Sequence, residues 1–477
     1  MSTPIYFQSL SDTVRQLKSG ALSSEKLTET MLTRVRALDG GLHAYARTLD
    51  ESALLTARSL DAARRAGQPL GALHGVPVAI KDLLFTRGIA TASGTAVMAD
   101  FRPDFDATVV TKLKAAGAVI IGKTQLTEGA YGNHHPDIAA PVNPWRADAW
   151  PGVSSSGSGV AVAAGMAFAA LGSDTGGSIR FPSACCGLVG LKPTYGRVSL
   201  HGAFPLASSL DHIGPLTRSV EDAARMLLVI AGEDSNDPNS LQAPVSDLHG
   251  DLASLDPAKV HIGVDWHFVS AGVAPAIVAF MRSAVEQLNE IGFNIVDVTL
   301  PESYQTLAEH WPVTCGKECA ATHASMFASQ RTAYGPGLAA LIEFGQQVTD
   351  RDYAYLETVR AAFRDELQAV LNNVDVLISP CMTMPSPLNA EVEAATRSSS
   401  EQAQTDADNA PPQAPFVNFT APFDYSGHPT LNLPMGLDAR GLPQALQFVG
   451  PLLGESKLLR IAAVVEAACS KLTYPDP

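Results

Sequence analysis

Serine and glycine crowd two neighbouring stretches of this chain, PGVSSSGSGVAVAAG at 151–165 and LGSDTGGSIRFPSACCGLVGLKPT at 171–194. A flexible spacer can have the same composition. Spacers, however, are not flanked by runs as apolar as AVAAGMAFAALG, which must be buried. Hydroxyls on sharply bent backbone beside a core suit attack on a carbonyl. Amide cleavage needs a nucleophile, a group to take its proton, and N–H donors to receive the oxyanion. Asp174-Thr175-Gly176-Gly177-Ser178 offers the first and the last of these. Two glycines let successive amides turn toward one point just ahead of Ser178. The residues after it can open a helix, whose N-terminal dipole favours negative charge.

The base is less evident. The chain has 12 histidines, none in a motif that pairs it with a serine, and no G-x-S-x-G elbow. Lys81 is the alternative: it closes the apolar run VPVAI ahead of Asp82, so its stem is expected in the core. A lysine titrates near ~10.4 and becomes a useful base only when desolvation lowers it. The same placement also fits a lysine that lies along the core and reaches water with its ammonium, and pattern alone favours that plainer reading.

Taken together, these segments resemble the amidase signature enzymes. The run Gly75-Val76-Pro77, followed by Lys81 and Asp82, matches the family's G-V-P-x-x-x-K-D. P-G-G-S-S-G-G-S aligns without gaps to 151–158, D-x-G-G-S-I-R-x-P to 174–182, and G-L-K-P-T to 190–194. SGHPTLNLPMG from Ser426 and GLPQALQFVG from Gly441 resemble the closing strands. The resemblance implies a Ser–cis-Ser–Lys triad of Ser178, Ser154 and Lys81, with a cis peptide before Ser154. It also implies an oxyanion hole from the amides of Thr175, Gly176, Gly177 and Ser178, acting through an acyl-enzyme. Ser155 is expected to support the site, and Asp174 and Arg180 to brace the loop as an ion pair. The sequence departs from the pattern at Val153 and Ser156, where the family has glycine, and at Gly159, where it has alanine. A left-handed backbone at 153 would strain a valine.

Several elements must position these residues. Ser23 can cap a helix with the apolar face Leu27, Met31, Leu32, Val35 and Leu38, stopped by Gly40. A second helix is expected over 51–65. HGVPVAIKD reads as a strand, Asp106 as the cap of a helix through Val109, Val110 and Leu113, and AVIIG as the next strand. Residues 278–372 are mainly helical in periodicity, and DVLISP is β-like. The alternation predicts an α/β fold, and the resemblance implies a single amidase signature domain with a mixed twisted sheet covered by helices on both sides. Residues 1–66 would form a helical segment packed on a domain spanning 67–477. That domain would have a catalytic core at about 70–215, a helical or lid region at about 275–415 and closing elements at 416–477. The polar stretch 386–413 is expected to border the entrance.

Composition narrows the partners. Lys plus Arg number 33 against 48 Asp plus Glu, a net charge of -15, which repels nucleic acid and anionic membrane. No run reaches the ~18 apolar residues of a spanning helix, and the N-terminus lacks a signal-peptide pattern, so a cytoplasmic location is expected. Cys185–Cys186 adjacency and the one-turn spacing of Cys315 and Cys319 suggest neither disulfides nor zinc, and no metal or cofactor is expected. Gly117 to Thr124 satisfies G-x-x-x-x-G-K-[ST], but its Ala-Val-Ile-Ile is itself a strand, which blocks phosphate cradling. Ser23-x-x-Lys26 reads as a cap and a solvated lysine. Trp311, Phe327, Met382 and Phe423 fit an apolar pocket or the core, and core is the plainer reading of each. The expected activity is hydrolysis of small amides, anilides or carbamates, extending to esters, with a homodimer left open. The rival is a glutaminase subunit of a tRNA-dependent transamidating complex. A third reading is a binding protein that has lost the chemistry, which the occupied triad positions oppose.

Overall fold

The structure, a computed structural model, describes residues 3–244, 248, 252–395, 416–469 and 471–477. From residue 396 on, the stretch expected to border the entrance lies outside them. The strands are β1 (Tyr45–Thr48), β2 (Pro77–Lys81), β3 (Val119–Thr124), β4 (Ala169–Asp174), β5 (Val189–Lys192) and β6 (His212–Thr217). They continue with β7 (His261–Val264), β8 (Asn294–Asp297), β9 (Val376–Pro380), β10 (Thr430–Leu437) and β11 (Pro443–Val449). All join one 11-stranded sheet in the order β1-β3-β2-β4-β6-β5-β10-β11-β9-β7-β8. The sheet is mixed: β2 runs parallel to β3 and β4, while β4 and β6 are antiparallel. Helices flank it, giving the expected single-domain α/β fold.

Strands β2, β3 and β4 are buried along their whole lengths. Their nearly unbroken apolar runs are what inner parallel strands covered on both faces require. Ile80 pairs with Leu171 in the parallel register. Lys81 and Ser173 therefore lie beyond that pair at the same end of the sheet, on neighbouring strands.

The N-terminal segment is not purely helical. Between the helices Ser24–Leu42 and Asp50–Arg65, β1 pairs antiparallel with β3 and extends the sheet by an edge strand. Gly40 does not stop the first of these helices. It runs on to bury Leu42 and ends at His43, whose φ of 51° is left-handed. Two late glycines weaken a helix by roughly 1 kcal/mol each, which the burial of Leu42 offsets. Ser23 does cap it, accepting from Lys26 N at 3.2 Å. Asp106 is no cap: Ala107 takes that position, and Asp106 instead accepts from Arg87 N at 2.8 Å and pairs with Lys114 at 2.7 Å. Within the helical region, β8 adds a half-exposed edge strand that the periodicity concealed.

Candidate active site

The candidate site begins where β2 ends. Lys81 has no solvent exposure, and its Nζ lies 2.7 Å from Ser154 Oγ, 2.9 Å from Ser155 Oγ and 2.9 Å from Ser173 Oγ. The ammonium does not reach water, so the plainer reading of Lys81 does not hold. Burial pushes its pKa down to about 7, although Asp174 and Asp211 act in the opposite direction. Three hydroxyls and no carboxylate surround it, an arrangement that a neutral amine satisfies with two N–H donors and one lone pair.

Ser154 follows a cis peptide after Val153. Gly152 takes the left-handed turn at φ 78°, and Val153 does not, so the valine carries no such strain. From Ser156 to Ala163 the chain is a short helix with every residue buried. Ser155 N donates to the Ser178 carbonyl at 3.2 Å, tying the two serine segments together. Ser155 Oγ donates to the Ser173 carbonyl at 3.1 Å. Ser178 is only half-buried. Among the described residues its hydroxyl makes no hydrogen bond, so the Ser154–Ser178 link is open in this state. Such bonds often tighten only around substrate.

The loop ahead of Ser178 is clamped from below by Asp174. This fully buried carboxylate accepts from Gly177 N at 2.6 Å, Ile179 N at 2.9 Å and Arg180 N at 3.2 Å. Arg180 Nη2 pairs with it at 2.8 Å and with Asp424 at 2.5 Å. Burial opposes the Asp174 charge, but the Arg180 guanidinium and the Ile179 amide hold its carboxyl well below the usual carboxylate range. The expected oxyanion hole needs a correction here. The Gly177 amide is committed to Asp174 and cannot also hold a substrate oxygen. The helix Arg180–Cys186 is likewise answered at its start by the same carboxylate. Thr175, Gly176 and Ser178 remain, and among the described residues their amides donate to no acceptor. Gly177 keeps its place for conformation: its φ is 131°, and a Cβ there would overlap the Phe181 ring.

The carbonyl side of the same loop is held by residues that no local pattern marked. Trp311 Nε1 donates to Thr175 O at 2.9 Å, and Thr420 Oγ1 to Gly176 O at 2.5 Å. Thr175 Oγ1 donates to Asp211 at 2.6 Å, and burial raises that carboxyl to about 7. With its carbonyls taken, the loop turns its free amides the other way. Ser173 alone had a findable signal, since it ends the buried run of β4 one strand from Lys81. Phe327 and Phe423 belong to the main core, while Met382 joins a satellite apolar cluster with Trp150 and Phe181.

The decoys resolve as packing. Lys123 sits within β3, fully buried, bonded to Leu84 O and Thr91 Oγ1 at 2.8 Å and paired with Asp82 at 3.2 Å. Cys315 and Cys319 are buried free thiols. Among the described residues no group of three or more His, Cys, Asp or Glu is placed to hold a metal, and no helix is long and apolar enough to cross a membrane.

Comparison with known proteins identifies the family. A family profile described as Amidase matches residues 26–459. A Mycobacterium tuberculosis protein provisionally named amidase AmiD is 42% identical over 451 residues, covering 94% of this chain and 92% of that protein. A glutamyl-tRNA(Gln) amidotransferase subunit from a Synechococcus strain is 37% identical over 487 residues, 96% of each chain. The crystal structure of a peptide amidase from Stenotrophomonas maltophilia superposes with a TM-score of 0.81 at 30% identity, over 99% of each chain.

Proposed function

Since this chain belongs to the amidase family, whose members hydrolyse carbon–nitrogen bonds, we propose that it is a free-standing hydrolase of small amides, anilides or carbamates using Lys81, Ser154 and Ser178. The observation that carries this reading is the 2.7 Å contact between a fully buried Lys81 Nζ and Ser154 Oγ. The neighbouring bonds give the relay its direction. Ser155 spends its hydroxyl proton on the Ser173 carbonyl, so it can only accept from Lys81. The lone pair of a neutral Lys81 is then available to Ser154.

In the reaction Ser154 gives its proton to Lys81 and takes that of Ser178, whose Oγ attacks the carbonyl carbon. The amides of Thr175, Gly176 and Ser178 receive the oxyanion. Collapse of the tetrahedral intermediate breaks the C–N bond, and the proton returns through Ser154 to the leaving nitrogen. Water then attacks the acyl ester by the same relay in reverse and frees the acid and Ser178. Asp174 and Arg180 hold the loop and take no part in proton transfer. Esters and carbamates fit the same sequence of steps.

Incubation with a fluorophosphonate probe tests the reading. Labelling that disappears in Ser178→Ala, together with turnover of an amide panel that disappears in Lys81→Ala, supports it; labelling that survives Ser178→Ala overturns it. The second reading, a glutaminase subunit, has one observation behind it, the 37% identity to a tRNA-dependent amidotransferase component. Glutamine turnover that emerges only when a partner-containing lysate is added would favour that assignment.

A further inference from the structure

The sequence departs from its family pattern at Val153 and Ser156, and both departures bear on one space. A cavity of about 700 Å³ is lined by Val153, the residue immediately before Ser154, and by Trp150, Pro151, His134, Asn389 and Val392 among others. Val153 packs on the satellite apolar cluster together with Val392, so this wall is oily. The one carboxylate among the lining residues, Glu393, is exposed. Ser156 is fully buried and its Oγ lies 3.0 Å from His134 Nε2; among the described residues that hydroxyl has no other partner. A buried hydroxyl proton without an acceptor is costly. Ser156 therefore donates to Nε2, which places the ring proton on Nδ1. Burial, and after it the nearby Lys81, lower His134 to about 4, so the ring is neutral at pH 7. Among the described residues Nδ1 has no acceptor, and His134 is one of the residues that line the cavity.

The proton path sets which half of a substrate enters. The leaving nitrogen must lie against Ser154 Oγ to be protonated, and the cavity is walled by the residue just before Ser154 and by the partner of a residue just after it. We propose that this cavity is the subsite for the amine half of the substrate, taking an uncharged aryl or branched alkyl amine that carries a hydrogen-bond acceptor. Val153 sets its width and His134 reads the acceptor. This rests on the amide-hydrolase reading and deepens it, because an enzyme releasing only ammonia has no use for such a space.

The test compares kcat/KM for two anilides of equal length, 4-methoxyacetanilide and 4-ethylacetanilide, of which only the first presents an acceptor oxygen. The ratio between them is expected to fall by about threefold to tenfold in His134→Phe, and equally in Ser156→Gly, which leaves the imidazole in place without its partner. Val153→Gly is expected to raise kcat/KM for 4-tert-butylacetanilide relative to acetanilide by about tenfold. The butyranilide-to-acetanilide ratio, which varies the acyl half, should not move in any of the three. Ratios unchanged in both the His134 and the Ser156 variants, or changes confined to the acyl series, would overturn the assignment. The same anilides titrated calorimetrically into Ser178→Ala separate this proposal from the one beneath it. Acceptor-dependent binding lost in the His134 double variant, with no wild-type turnover of any anilide, keeps the subsite and removes the hydrolase reading. Turnover with a variant-insensitive ratio does the reverse.

Discussion

The Trp311 indole N–H donates to the carbonyl of Thr175 at 2.9 Å across 136 positions of sequence, and it fixes which way the loop before Ser178 faces. Trp311 also stacks on Tyr131, ring centroids 5.9 Å apart, which holds the indole plane. Trp311→Phe retains the stack and loses the hydrogen bond. We expect kcat to fall by about tenfold with KM changed much less, because the lost restraint acts on the oxyanion donors. Steady-state kinetics on a single amide checks this; an unchanged kcat would mean the loop holds its shape without the indole.

The Lys81 amine must be neutral to accept a proton. Its pKa of about 7 places an acid limb there, with kcat/KM rising with pH and levelling above it. Asp211, also raised to about 7, could produce a similar limb. Asp211→Asn separates the two. The limb should persist and move slightly to lower pH, since loss of a nearby carboxylate further disfavours the ammonium; a limb that vanishes in this variant belongs to Asp211. Lys81→Met should lower kcat by at least about a hundredfold. Stability follows the same shift. Between about 7 and ~10.4 the unfolded chain binds a proton at Lys81 that the folded chain does not, so this group's contribution to stability rises with pH across that window. Lys81→Met should flatten that part of a denaturation-midpoint profile.

Asp174 and Arg180 are both fully buried, and each satisfies the other. Asp174→Ala leaves a guanidinium with only Asp424 as counter-charge and removes the acceptor for three backbone amides. A loss of about 3–5 kcal/mol is expected from breaking a buried pair, read as a lowered urea midpoint. A shift under about 1 kcal/mol would show that the cluster relaxes around the gap.

Gly177→Ala tests whether backbone conformation keeps glycine at that position. With φ at 131° and the Phe181 ring against it, even a methyl group should cost more than ~1 kcal/mol and displace Ser178. Introduced into a Phe181→Ala background, Gly177→Ala should cost less than in the wild type but not vanish, since the positive φ remains. No further loss in that background, read from circular dichroism melts, would assign the whole effect to the ring.

The segments that form the candidate site stand out in the sequence because their chemistry is local, while the roles of Ser154, Ser155 and Lys81 rest on the family resemblance. Ser154, Ser155, Asp174, Ser178 and Arg180 lie in runs whose glycines and hydroxyls already constrain the backbone, and Lys81 terminates an unmistakable apolar strand. What escapes is what comes from elsewhere. Trp311 and Thr420 reach the loop through tertiary packing, and neither residue's neighbours in sequence resemble a site. The Gly177 amide is miscounted when Asp174 is seen only as the partner of Arg180, although a carboxylate has lone pairs for several donors. Strands β1 and β8 are short and sit at the sheet edges, where half-exposed YART and NIVD give too few alternations to outweigh the helices around them. Gly40 reads as a terminator on propensity alone, which the burial of Leu42 overrides.

Arg180 is clasped by Thr420 O at 3.0 Å, Gln447 Oε1 at 3.2 Å and Asp424, all near the far end of the chain. A polypeptide cut short before Thr420 would carry every atom of the proposed proton path yet lack the groups that keep Ser178 presented. Chemical competence would thus arrive late in biosynthesis, and a half-made protein would be spared from attacking amides while still on the ribosome.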